Sequence, residues 1–145
     1  MKKQTSMLVL AILVITVFFS GIANAAVDKD PKDIEIPCIY LDVSINFAQA
    51  LKAGIDAAAK EFGVNAFIDG PVNWNIDQQV SIIENYITKK VDGLAIAPLS
   101  SEVIDPIIAK ALEAGIPVVT FNTDSETSKR IVFYGQDTVE SGRVQ

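Results

Sequence analysis

Residues 91–119 read VDGLAIAPLSSEVIDPIIAKALEAGIPVV, and the change of period inside this stretch decides the fold. Leu94 to Ala97 is a short run, apolar throughout, with the length of a buried strand. Ile104, Ile107, Ile108, Ala111 and Leu112 then recur at helical spacing and make one face of a helix apolar. The helix is started by a cap at Ser101 or by Asp105 with Pro106 at the first helical position, and it is stopped by Gly115 before Pro117. Val118 to Phe121 is a strand again. Strand, amphipathic helix, strand is the unit that joins two parallel strands across one face of a sheet.

The same alternation extends in both directions. Pro37 to Leu41 reads as the first strand. Phe47, Leu51, Ile55, Ala58 and Phe62 follow as the apolar stripe of a helix that Gly63 ends. Val64 to Ile68 is the second strand, and a polar loop from Asp69 to Asn75 leads into the stripe Ile76, Val80, Ile83 and Ile87. Lys89 and Lys90 lie in the last turn of that helix, where the helix dipole favours cations. Toward the carboxyl end Ile131 to Tyr134 reads as a fifth strand, after which Asp137 or Thr138 caps a further helix. Strands apolar on both sides, separated by amphipathic helices, require a parallel sheet covered on both faces. The fold class is therefore α/β, a doubly wound, three-layer, Rossmann-like sheet.

Met1 to Ala25 is of another kind. Lys2 and Lys3 precede an apolar run from Met7 to Phe19, and Ala23, Asn24, Ala25 supplies the small-x-small end of an export signal. The run falls short of the roughly 18–20 residues needed to span a bilayer, so cleavage after Ala25 is expected. No cysteine stands near that junction for a lipid anchor, and a periplasmic location follows, with secretion as the alternative. Three regions result: a signal peptide over 1–25, an exposed amino-terminal segment over 26–36, and a single domain over 37–145. Cleavage leaves 145 less 25, or 120, residues, enough for one core. The leader holds two of the 12 basic residues and no acid, so the remainder carries 10 against 18, a net charge of −8, without a basic cluster. Nucleic acid is excluded as a partner on that ground. Cys38 is the single cysteine and reads as a small buried hydrophobe. With no histidine in the chain, the common nucleophile and base pairs and most zinc sites are missing, and no metal or other cofactor is implied.

In open parallel sheets ligands bind beyond the carboxyl ends of the strands, where helices begin and free amides face a crevice. The polar residues at those ends are Ser44, Asn46 and Phe47 after the first strand, and Asp69, Asn73 and Trp74 after the second. Pro98 and Ser100 follow the third, and Asn122, Thr123 and Asp124 follow the fourth.

The stretch 91–119, followed by TFNTDS from Thr120 and FYGQDTVESGR from Phe133, resembles the amino-terminal lobe of the periplasmic sugar-binding proteins of the ribose and galactose type. These are type I solute-binding proteins of ABC importers, and some also signal to chemoreceptors. The resemblance runs from about Ile39 to the end. It implies capture of a sugar or polyol and delivery to a permease in the inner membrane, without covalent chemistry. Such receptors have two similar lobes joined by crossovers, and Gly135 and Gln136 stand where the first crossover begins, so the resemblance implies a single lobe with its second absent. Phe47 in SINFAQALKAG matches the aromatic that stacks on a sugar face, and Asn46 matches the residue before it. The polar ligand that precedes them in the family is replaced by Ile45, and the second aromatic of ribose binders by Ala48. After the fourth strand the family carries Asp with Arg or Asn with Lys, whereas here Asn122 is followed by Thr123. An Asn amide donates and accepts, which suits a diol. The expected ligand-binding residues are thus Asn46, Phe47, Asn122, Thr123 and Asp124, with Trp74 as a possible cleft wall.

Each assignment has a structural counterpart. Phe47 lies on its helix's apolar stripe and is equally placed for the core, and Asn122 fits a turn that bonds its own backbone. Trp74 is either a crevice wall or a surface cover, Gln79 is solvent-facing or packing, and Asp137 with Glu140 fits a capping box. Other functions keep part of the same reading. A sensing protein uses the same cleft with a chemoreceptor or membrane kinase, and an enzyme needs paired carboxylates or a bound metal in the crevice, for which Asp69 and Asp124 are the acidic candidates. A cytoplasmic repressor is excluded by the export signal, and a gene fragment without a transport role is the remaining alternative.

Overall fold

The computed structural model describes residues 29–136 and 138–143. The signal peptide with its cleavage site, and the Asp137 half of the capping box, lie outside the described residues. The elements are β1 (Glu35–Ile39), α1 (Asn46–Phe62), β2 (Asn65–Asp69), α2 (Ile76–Lys89), β3 (Leu94–Ile96), α3 (Ser101–Glu113), β4 (Val118–Phe121), β5 (Phe133–Tyr134) and α4 (Thr138–Arg143). The sheet has the order β2-β1-β3-β4-β5 with every pair parallel. The chain steps from β1 outward to β2 and then back across β1 to β3. The switch point of this doubly wound sheet therefore lies between β1 and β3.

Alternate strand residues face opposite layers. Ile39, Leu94, Ile96 and Val118 are buried against Ile83, Tyr86 and Ile87 of α2 and Ile104, Ile107, Ile108 and Ala111 of α3, which form the main core. The opposite face is covered more thinly by α1: Ile36, Cys38, Ala95 and Val119 remain half-buried. Burial of the Cys38 thiol pushes its pKa up to about 11, so it stays protonated and unreactive.

Several expected boundaries move. β1 begins at Glu35, which brings Glu35 and Ile36 out of the expected exposed segment 26–36 and into the sheet. The backbone N–H of Glu35 donates to Asp92 at 2.8 Å, and Lys29 pairs with the same carboxylate at 2.6 Å, so the segment ahead of β1 is fastened to the β3 side. The inward stripe of α1 is Ala48, Leu51, Ile55 and Ala59, whereas Phe47, Ala58 and Phe62 of the expected stripe are exposed. Gly63 ends α1 at φ 70°, as expected of a glycine C-cap, and Asn75 caps α2 by accepting from the Gln78 N–H. α3 starts at Ser101 with Ser100 as its N-cap, so neither expected start holds and Pro106 lies inside the helix. Pro106 is tolerated there because its missing N–H would have served only the carbonyl of the exposed Glu102. β5 shrinks to two residues, although bonds from Ile131 N to Val118 O and from Thr120 N to Val132 O carry its pairing further back.

Candidate functional site

Two loops at the carboxyl edge are knitted together by one buried carboxylate. Asp42 accepts from the Ser44 hydroxyl at 2.5 Å and the Ser44 N–H at 2.9 Å, and from the backbone of Asn73 and Trp74. The Ser44 hydroxyl bond leads in holding its pKa below the usual aspartate range, against the opposing effect of burial. Val43 N adds a bond to Pro71 O at 3.0 Å. Gly70 makes this approach possible, because a Cβ there would stand 2.5 Å from the Tyr40 carbonyl oxygen. Asn73 and Trp74 are both left-handed, at φ 56° and 55°, and Trp74 is left 53% exposed.

The loop after β4 is held as firmly. Asn122 adopts φ 60°, a conformation Asn tolerates better than most residues, and its N–H donates to Tyr134 O across the β4–β5 edge. Thr123 Oγ1 donates to Pro98 O at 3.1 Å. The Asp124 carboxylate accepts from Thr120 Oγ1 at 2.7 Å, Ser125 N at 2.7 Å and the Arg130 guanidinium at 2.6 Å. Burial works against its charge, and the bonds from Thr120, Arg130 and Ser125 outweigh it, holding the carboxyl below its ordinary range. Ser125 and Thr127 hydroxyls donate to Asp105 of α3 and fasten the loop's far end.

Beside the loop after β4 lie two open cavities that share Asn122, Gly135 and Gln136. One, of about 590 Å³, has Phe47, Leu51, Phe121 and Tyr134 on its walls. The other, of about 740 Å³, has Thr123, Asp124, Glu126, Phe133 and Val139. Phe47 is 54% exposed and stands 6.2 Å, ring centre to ring centre, from Tyr40, which stacks at 6.2 Å on Phe121. An aromatic shelf and a hydrogen-bonding rim thus meet at Asn122, a combination that offers an apolar surface and paired donors and acceptors to one small molecule.

Of the residues singled out from sequence, Phe47, Asn122, Thr123 and Asp124 are brought to these cavities. Asn46 is exposed at the first position of α1, and neither it nor Trp74 lines either cavity. Leu51, Phe121, Tyr134 and Gln136 were not anticipated, although the strand-end rule that selected Asn122 applies equally to Tyr134 and Gln136 after β5. Arg130 has no such signal, since only the path of the loop returns it to Asp124. Gln79, expected to be solvent-facing or packing, is fully buried on α2 with its amide bonded to Ala97 O and Leu99 N.

The two carboxylates an enzyme would need are kept apart and occupied. Asp69 ends β2 and accepts from Gly70 N and the Tyr86 hydroxyl, while Asp124 follows β4. Three strand spacings of roughly 4.8 Å separate their strands, about 14 Å, beyond the roughly 9.5 Å limit for a pair acting on one glycosidic bond.

Residues 36–145 match the family described as periplasmic binding protein domain. The chain belongs to that family. Among its relatives is the D-ribose/D-allose-binding protein of Pseudomonas aeruginosa, 30% identical over 84% of this chain and 40% of that protein. An ABC transporter solute-binding protein from Burkholderia graminis, solved in complex with D-arabinose, superposes with a TM-score of 0.73 at 32% identity, covering 80% of this chain and 40% of that one. The XylFII–LytSN complex gives 0.72 at 31% identity, covering 79% and 42%. The chain spans about two fifths of the length of these relatives. The Pseudomonas and Burkholderia relatives are solute-binding proteins and not enzymes.

Proposed function

We propose that this chain forms a sugar- or polyol-binding lobe exported to the periplasm, with its signal peptide cleaved after Ala25, and that it works with an ABC importer permease of the inner membrane. The observation that carries the reading is the meeting of the Phe47 shelf and the Asn122 amide on one cavity. A pyranose or furanose presents C–H groups on one face and adjacent hydroxyls at its rim, and these two groups suit those two features. Arg130 is paired with Asp124, so the ligand is met by amide, hydroxyl and carboxylate groups and is uncharged. Thr123 and Asp124 support the rim, Asn46 stands beside the shelf without lining it, and Trp74 is a surface residue of the neighbouring loop. The ribose, allose and arabinose named for the relatives make pentoses and hexoses the first ligands to try.

Contact is one-sided, because the cavities open to solvent and leave one ligand face wet. Binding by this chain is therefore expected in the millimolar range, about −4 kcal/mol. Titration calorimetry across a sugar panel tests the reading. A lack of response to every sugar overturns the sugar assignment, and micromolar binding by a demonstrated monomer overturns the one-sided account. The XylFII–LytSN complex, in which a similar protein is assembled with a second one, favours a sensing role as the second reading, with a chemoreceptor or membrane kinase as partner. Co-purification with membrane components separates the two.

A further inference from the structure

Gln79 breaks a pattern. It sits between Ile76 and Ile83, three residues after one and four before the other, on the inward stripe of α2, where an apolar side chain would fill the core without desolvating an amide. It is nonetheless fully buried, and both ends of its amide are used: Nε2 donates to Ala97 O at 2.9 Å, and Oε1 accepts from Leu99 N at 3.1 Å. The two bonds bracket Pro98, in the pattern by which the N–H and C=O of one residue of a parallel strand pair with its neighbour.

The strand that ought to supply that residue is β1. Its ladder with β3 runs as far as Ala97 N donating to Ile39 O, and there β1 ends. The continuation is drawn to the β2 side, where Tyr40 N donates to Asp69 O and Val43 N to Pro71 O. β1 and β3 thus part company at the switch point, and the buried Ala97 carbonyl and the half-buried Leu99 N–H would be left without protein partners. The Gln79 amide fills that place. On the opposite side Pro98 O accepts from Thr123 Oγ1, and Thr123 adjoins the left-handed Asn122.

We infer that Gln79 is a positioning residue of the crevice: its side-chain amide stands in for the missing stretch of β1, lets the sheet open at its carboxyl edge, and through Pro98 and Thr123 fixes where Asn122 is held. The bearing on ligand rests on the proposed function above, whereas the positioning itself is read without ligand.

The test follows backbone amide signals of the full chain by NMR in Gln79→Met, which keeps the volume and removes both bonds, in Thr123→Val, and in the double variant. In Gln79→Met, exchange of the Leu99 amide should quicken by about tenfold relative to core amides such as Ile96, the loss of one net hydrogen bond. The Asn122 and Thr123 signals should shift, and Thr123→Val should move Asn122 less in that background than in the wild type. A lowered melting temperature with an unmoved Asn122 signal would make Gln79 a packing residue and overturn the inference. Should Gln79→Met fail to fold, Gln79→Glu decides. Its carboxylate, once ionised, repels Ala97 O, but the protonated acid donates and accepts as the amide does. Burial at this position raises the carboxyl pKa. The Asn122 and Leu99 signals should therefore be close to wild type at low pH and move away as the carboxyl ionises with rising pH. Signals that stay wild-type after ionisation would refute the role. Titration of wild type and Gln79→Met with D-ribose, D-xylose and D-arabinose follows. If wild type binds none, the proposed function fails and the Asn122 signal alone rules on Gln79. If wild type binds, affinity should fall about tenfold in the variant, and an unchanged constant overturns the inference.

Discussion

Replacing Phe47 by Ala separates a crevice role from a core role by magnitude. Phe47 is 54% exposed, so a little under half of its surface is covered, by Tyr40 among others. With about 200 Å² for a phenylalanine side chain, roughly 90 Å² is at stake, worth at most about 2 kcal/mol at ~25 cal/mol per Å². The Cβ that alanine keeps lowers this, and alanine's better helix propensity returns about 0.5 kcal/mol at this second position of α1. The expected loss of stability is about 1 kcal/mol. Ile108→Ala is the contrast, since Ile108 is fully buried in the main core and should lose about 2–5 kcal/mol. Urea denaturation of both variants measures the two costs, and calorimetric titration with the best sugar of the panel measures binding. Phe47→Ala should weaken binding up to about tenfold, from ~0.5–1.5 kcal/mol of aromatic stacking, while its unfolding midpoint falls by less than half as much as that of Ile108→Ala. A stability loss matching that of Ile108→Ala would show that the burial of Phe47 has been misjudged. An intact affinity would remove it from the site.

Asn122→Ala should cost about 1–2 kcal/mol because φ 60° is unfavourable for alanine, whereas Asn122→Gly should not; equal stabilities in urea would contradict the left-handed assignment. Both should weaken sugar binding, which makes Asn122→Gly the cleaner test of the amide. The Asp42, Asp92 and Asp124 carboxyls are all held below their ordinary range, so each contributes stability that is fully present above about pH 4 and is lost as pH falls through its depressed folded-state value. Urea midpoints measured downward from neutral pH should fall in that window, and Arg130→Met should lessen the fall by removing the Asp124 partner; a rise in stability with acid would reverse the sign of the argument. Intact-mass analysis of periplasmic protein should give Ala26 as the first residue, and a membrane-bound species that keeps its leader would refute export by cleavage.

The order of elements was legible because each strand is a short apolar run and each helix an apolar stripe, and Gly63 and Asn75 end and begin helices for local reasons visible in the chain. The stripe of α1 was not. Phe47 and Phe62 are large apolar residues at helical spacing and outweigh the small Ala48 and Ala59 in any pattern, yet the alanines face the sheet because α1 packs close to it. A pattern built on hydrophobicity presumes that apolar side chains are drawn inward, and at a crevice wall that presumption fails for Phe47. Gln79 is the converse, a polar residue inside, because the demand it meets is set by where β1 and β3 separate. The Asp124–Arg130 pair depends on the path of a loop that local spacing does not specify.

Asn122 carries both sides of this division. Its place after an apolar strand marks it as a crevice residue from sequence, but its service there depends on how the backbone is held. A left-handed residue at a loop's start stays ordered only when its surroundings enforce it. Here the Tyr134 carbonyl takes its N–H, Thr123 is moored to Pro98, and Asp124 binds the loop from both ends through Thr120 and Arg130. These bonds are formed before any ligand arrives, so ordering the rim costs little at the moment of binding. Most of the polar groups of this loop are occupied by each other, and the Asn122 side chain stands exposed between two cavities, where the proposed sugar would meet it. Loosening any one mooring should therefore reduce affinity more than it reduces stability, and Thr123→Val, which removes a single hydroxyl at a half-buried site, is the mildest way to see that difference.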